Sequence, residues 1–188
     1  MNRYFFALGL GPAFALGACG GSEPVTTVDN IVANAATGTD GGASIGAAVA
    51  TGQAFADAAG ASDAYEIEAG KLARQRATVQ ALRDFGGMMV AGHTESTARL
   101  KAAGARAVPA ITPDPRLSAE QEANLATLRQ ATGSDFDDAY KAQQVVAHEA
   151  ALAAVKDYAA HGTVPELRAF AAEVAPVVQQ HLDKIRGL

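Results

Sequence analysis

The chain has 188 residues, one cysteine, no tryptophan, and 15 basic against 20 acidic side chains, for a net charge of −5. That sign opposes a nucleic-acid partner, whose phosphates call for a basic face. A lone cysteine excludes an intrachain disulfide, so the fold must hold by packing alone.

The N-terminus reads as an export leader: Arg3, an apolar stretch from Tyr4 to Ala15, then small residues. A membrane span takes roughly 20 mostly apolar residues, and this stretch is shorter and interrupted by Gly9, Gly11 and Pro12. Leu16-Gly17-Ala18-Cys19 resembles the lipobox cut by lipoprotein signal peptidase. Residues 1–18 are therefore expected to be removed, leaving Cys19 as the acylated first residue and a net charge of about −6 without Arg3. Several acyl chains on one cysteine suffice for an anchor, where a single myristoyl chain does not. Gly20 stands after the cysteine in place of Asp, which by resemblance to Gram-negative lipoprotein sorting points to the periplasmic face of the outer membrane. The alternative is an ordinary secretory cut near Ala18 that leaves a free thiol.

Residues 19–50 hold the lipidated cysteine and a Gly, Ala, Ser and Thr-rich segment with no apolar period, read as a flexible tether. Such a segment reaches roughly 30 Å. The competing reading is a first helix that begins early, near Ser44. From residue 51 to 188 alanine, leucine, glutamine and charged residues dominate, which predicts one all-α domain able to bury its own core.

Four long helical segments and a short one follow in order. The first covers 51–77, with a break at Gly60 and a restart capped by Asp63, toward which Glu66 reaches back. The second covers 79–103 and stops at Gly104. The loop holding Pro109, Pro113 and Pro115 cannot be helical. Ser118 with Gln121 opens a short crossover helix to about residue 132. Ser134 with Asp137 opens the third long helix, to 161. Thr163 with Glu166, and Pro165 in the first turn, open the fourth, to 186. Pro176 should kink that helix, not end it, because the apolar period continues beyond it.

Three of the four histidines fall on apolar stripes of different helices. The second long helix has Leu82, Phe85, Met89, His93, Thr97 and Leu100 at steps of three or four. The third has Phe136, Tyr140, Gln144, His148, Leu152 and Val155, and the fourth has Leu167, Phe170, Val174, Val177, His181 and Ile185. Glu66 is the carboxylate of the first helix that faces them. With the short helix crossing back, residue counts put Glu66, His93, His148 and His181 within a band of roughly 9 Å along the axis. Glu149 is expected to face solvent, His161 to sit at a helix terminus, and Met89 to fill core space.

A His/carboxylate cluster between packed helices is where such folds build metal sites, and these donors suit one transition-metal ion: zinc, copper or iron. The metal-site candidates are Glu66, His93, His148 and His181. A di-iron carboxylate centre is disfavoured, since its Glu-x-x-His pattern is broken by Val90 before His93 and Val178 before His181. The same residues read equally as a metal-free structural or interaction module with a hydrogen-bonded polar core. No Ser-His-Asp set, phosphate loop or dinucleotide turn points to an enzyme.

Several segments together resemble the bacterial domain-of-unknown-function family 4142: residues 65–73, Met89-Val90 with His93, Phe136-Asp137 with Ala139-Tyr140, Gln144-Val145 with His148-Glu149, and residues 166–171 with Pro176 and His181-Leu182. The resemblance covers about residues 55–188. It implies a ferritin-like four-helix bundle exported to the envelope, with Glu66, His93, His148 and His181 as recurring polar positions, and implies no activity. Gly92 stands where the family pattern usually has an acidic residue.

Overall fold

The structure, a computed structural model, describes residues 41–188, with side chains from residue 51 onward. The leader, Cys19 and residues 19–40 of the expected tether lie outside the described residues. Among those described the chain is all-helical, with five helices: α1 (Gly41–Arg76), α2 (Gln80–Arg106), α3 (Ala119–Gln130), α4 (Ser134–His161) and α5 (Pro165–Arg186).

Helix α1 begins ahead of the expected start at residue 51 and runs through Gly60 without a break. The proline-rich loop packs over this glycine. It lies across α1, with Gln53 Nε2 donating to the Thr112 carbonyl at 2.8 Å and the Asp114 amide to Asp57 Oδ1 at 2.8 Å. A Cβ on Gly60 would sit 3.5 Å from both Pro113 and the Asp114 carbonyl, an ordinary contact distance, so the loop packs closely on α1 at this point. As α1 is unbroken, Asp63 lies in mid-helix and is buried, not a cap.

Helix α2 likewise passes its expected stop. The Ile111 amide returns to the Gly104 carbonyl at 2.9 Å, and a Cβ on Gly104 would meet the Ile111 carbonyl at 2.3 Å. Gly104 is thus needed for a close chain approach, and the helix ends at Arg106. Helix α3 has the expected reciprocal capping box of Ser118 and Gln121.

The start of α4 differs from the capping expectation. Its N-cap is Gly133 at φ 59°, with no side-chain cap. Asp137 instead accepts from the Thr78 amide at 2.9 Å and from the Thr78 hydroxyl, tying the α1–α2 turn to α4. Pro165 occupies the first turn of α5, and α5 continues past Pro176 to Arg186.

Cross-helix contacts define the pairing. Gly70 lies against Gly86, and Asp63 against His93 and Thr97, so α1 and α2 run antiparallel. Arg186 bridges to Glu149 and Lys156 reaches Gln179, so α4 and α5 do too. Arg99 bridges to Glu173 between α2 and α5, and Gln144 bonds Glu66 between α4 and α1. Each of these four helices therefore has two antiparallel neighbours, and α3 returns the chain along α1 and α4.

Two apolar clusters form the core. One gathers Phe85, Met89, Leu128, Phe136, Tyr140 and Ile185, the other Leu100, Ile111, Val155, Leu167, Phe170 and Val174. On α1 and α2 the buried polar residues fall where one cluster gives way to the other: Asp63 and Glu66 lie between Ala56 and Ala69, and His93 between Met89 and Leu100.

Candidate metal centre

Helical spacing carries each imidazole into the interior. His93 follows Met89 by one turn on α2, His148 follows Gln144 on α4, and His181 follows Val178 on α5. All three are buried. Ring centroids lie 5.9 Å apart for His93 and His148, 5.8 Å for His93 and His181, and 5.5 Å for His148 and His181. Each residue offers one ligand atom, and these atoms all lie within 4.8 Å of one another. In a tetrahedral complex with metal–nitrogen bonds of about 2.0–2.1 Å the nitrogens stand about 3.4 Å apart. Modest ring rotations close that difference.

The hydrogen bonds hold two of the rings in the orientation that metal ligation needs. His93 Nδ1 donates to Asp63 Oδ1 at 2.8 Å, and Thr97 Oγ1 lies 3.2 Å from Asp63 Oδ2. His148 Nδ1 donates to the Gln144 carbonyl one turn back, at 2.9 Å. Each bond keeps the proton on Nδ1 and leaves the Nε2 lone pair free. His93 Nε2, His148 Nε2 and His181 Nδ1 are buried with no protein hydrogen-bond partner among the described residues. A buried polar atom left unpaired costs about 1–3 kcal/mol, so three together in a packed core call for an explanation.

Glu66, 1% exposed, belongs to the same layer but is not one of the three clustered residues. Its Oε2 accepts from Gln144 Nε2 at 2.6 Å, and its Oε1 lies 3.9 Å from His148 Nδ1 without a hydrogen-bond partner. The carboxylate bonded to a histidine of the triad is Asp63. Sequence reasoning missed it because an aspartate three residues before a glutamate, just after a glycine, also spells a helix start. An unbroken α1 was the signal available, since it puts residues 63 and 66 one turn apart on a single face. Glu149 and His161 are exposed, as expected, in bridges to Arg186 and Asp157.

Electrostatics separates the three rings. Burial pulls the His93 pKa down, but the Asp63 hydrogen bond and the nearby Glu66 more than offset it, leaving it raised above 6.5. Burial dominates at His148, which is lowered despite Glu66. His181 has no carboxylate neighbour; burial, then His93 and His148, push it down to about 4. Near neutral pH His148 and His181 are thus neutral, the form that ligates metal. Gly92 lies against His181, where a Cβ would come 3.3 Å from Cε1 and 3.7 Å from Nε2.

No helix among the described residues is long and apolar enough to cross a membrane. No curated protein and no solved structure matches the chain. Over residues 37–188 the sequence matches the family described as "Domain of unknown function (DUF4142)", and the chain belongs to that family.

Proposed function

We propose that the protein is a lipid-anchored envelope protein whose four long helices form a ferritin-like four-helix bundle, with α3 as crossover, and that it binds one transition-metal ion, zinc, copper or iron, through His93, His148 and His181. The observation that carries the metal reading is the convergence of three buried imidazoles, each with a buried nitrogen that has no protein partner among the described residues. Asp63 and the Gln144 carbonyl orient two of them in the manner of outer-shell groups in metalloproteins. Three nitrogen ligands leave a fourth position open. Asp63 and Glu66 lie beside the rings: Asp63 bonds His93 and Thr97, Glu66 bonds Gln144 and lies 3.9 Å from His148, and none of these is Lys or Arg. A divalent ion would supply that missing positive charge. Anchoring at the periplasmic face of the outer membrane rests on the Leu16-Gly17-Ala18-Cys19 sequence and on Gly20.

The rival reading, a metal-free interaction module, draws on the Asp63–His93 and Glu66–Gln144 hydrogen bonds. It accounts for the outer edge of the polar layer and leaves the centre unpaired. Elemental analysis of protein purified without a polyhistidine tag, then equilibrated with each metal and desalted, separates the two. One ion per chain in the wild type, lost in His148→Ala, is expected. A metal-free protein whose melting does not respond to zinc, copper or iron refutes the metal reading. For the anchor, Cys19→Ser should abolish incorporation of labelled palmitate.

A further inference from the structure

We propose that the cleft between α1 and α4 is a ligand site for an aliphatic monocarboxylate, whose head group would complete the coordination of the metal. This rests on the metal-binding reading above. The cleft has a volume of about 530 Å³, within the range of small-molecule sites. Phe55 and Ala59 of α1 line it on one side and Val146 and Ala150 of α4 on the other. Val146 and Ala150 are exposed although apolar, because no larger side chain closes the gap between the two helices. Asp63 and His93 belong to its wall, so the cleft joins the surface to one of the three imidazoles. His93 is itself more than nine-tenths buried, and its Nε2 has no protein partner.

The lining chooses the ligand chemistry. Methyl and methylene groups suit a saturated chain, and of the two α1 aromatics in the wall, Phe55 is already stacked on Tyr158 with centroids 3.8 Å apart and Tyr65 is hydrogen-bonded to Gln143. No Lys or Arg lines the cleft, whereas Asp63 and Glu120 do. Without metal the cleft repels an anion. A divalent ion held by His93, His148 and His181 lies beside Asp63 and Glu66, so it cancels the negative charge that keeps an anion out, and its open fourth position can take one carboxylate oxygen. An alkylammonium of the same length has the opposite dependence: it favours the metal-free cleft and cannot ligate.

The test is calorimetric titration of decanoate, below its micelle concentration, into zinc-loaded and metal-free protein, with zinc content measured on each sample. Decanoate should bind the zinc-loaded form at least about tenfold more tightly than the metal-free form. Decanol should not distinguish the two forms, and acetate should bind more weakly than decanoate. Ala150→Phe, on the exposed wall, should lose decanoate while keeping its zinc. Stoichiometric zinc with no metal-dependent decanoate binding overturns this proposal and leaves the metal reading standing. Acetate binding as tightly as decanoate, or Ala150→Phe binding decanoate normally, overturns the role of the cleft. Failure to retain any of zinc, copper and iron overturns both.

Discussion

Asp63 is where the chemistry of the triad is most open to a single substitution. Its carboxylate fixes the His93 tautomer and keeps that ring basic, and it reaches no other ring of the cluster. Asp63→Asn keeps the shape and removes the charge. Metal affinity should fall about 10–100-fold, as for other outer-shell carboxylates, in competition titrations with a chelating dye. In metal-free protein the His93 pKa should drop, read by NMR, and an unchanged affinity would show that Asp63 only fills space. Gly92 offers the complementary case. In mid-helix, Gly92→Ala gains about 1 kcal/mol of helix propensity, while the new Cβ presses on His181 at 3.3 Å. The metal-free variant should melt no lower than wild type yet bind metal more weakly. Normal affinity with an undiminished melting temperature would mean that the ring moves aside freely.

The helices show how far a stripe of residues predicts its own surroundings. His93, His148 and His181 were legible as inward-facing because a 3.6-residue period is a local property, and Gln144 beside them was legible for the same reason. Capping signatures were legible only where no tertiary partner competed. Ser118 and Gln121 close their box at an exposed helix start, whereas Asp63 and Asp137, with the same spacing signature, are claimed by His93 and Thr78 from distant parts of the chain. Glycines misled in a related way. Gly60 and Gly104 looked like helix breaks, yet α1 runs through the first and α2 past the second, and Gly104 makes room for the backbone at Ile111, which spacing cannot reveal. The closest such approach between helices joins α1 and α2: a Cβ on Gly86 would lie 2.7 Å from the Gly70 carbonyl and 2.8 Å from Ala73 Cβ. Gly86→Ala should therefore destabilise by about 1–3 kcal/mol in urea unfolding. Gly87→Ala, whose Cβ would meet nothing nearer than 3.9 Å, should be neutral or stabilising by up to about 1 kcal/mol. Equal effects at the two positions would mean that the helices separate at little cost.

At the scale of the whole domain, the polar layer makes stability depend on pH and metal together. In metal-free protein, His181 and His148 have lowered pKa values, so the unfolded chain binds more protons below pH 6.5 than the native one does. Their contribution is fully present above pH 6.5 and is lost as pH falls, through about 4 for His181. His93 acts in the opposite sense, because its raised pKa gives stability below 6.5 that is lost as pH rises through the folded value. Two rings against one make acid destabilising, and His181→Gln should flatten the fall in melting temperature between pH 7 and 4.5. Metal adds to this slope, since a ligating imidazole must be deprotonated and a bound ion holds all three rings so. Zinc at a hundred times its dissociation constant should stabilise by about 2.7 kcal/mol, a rise of roughly 5–10 °C in a domain of this size. That increment should shrink as pH falls through the raised His93 pKa, because protons compete first for this most basic of the three rings. Calorimetric scans at pH 7.5 and 5.5, with and without zinc, measure it directly. A zinc increment that is the same at both pH values would show that the imidazoles are not what the ion binds.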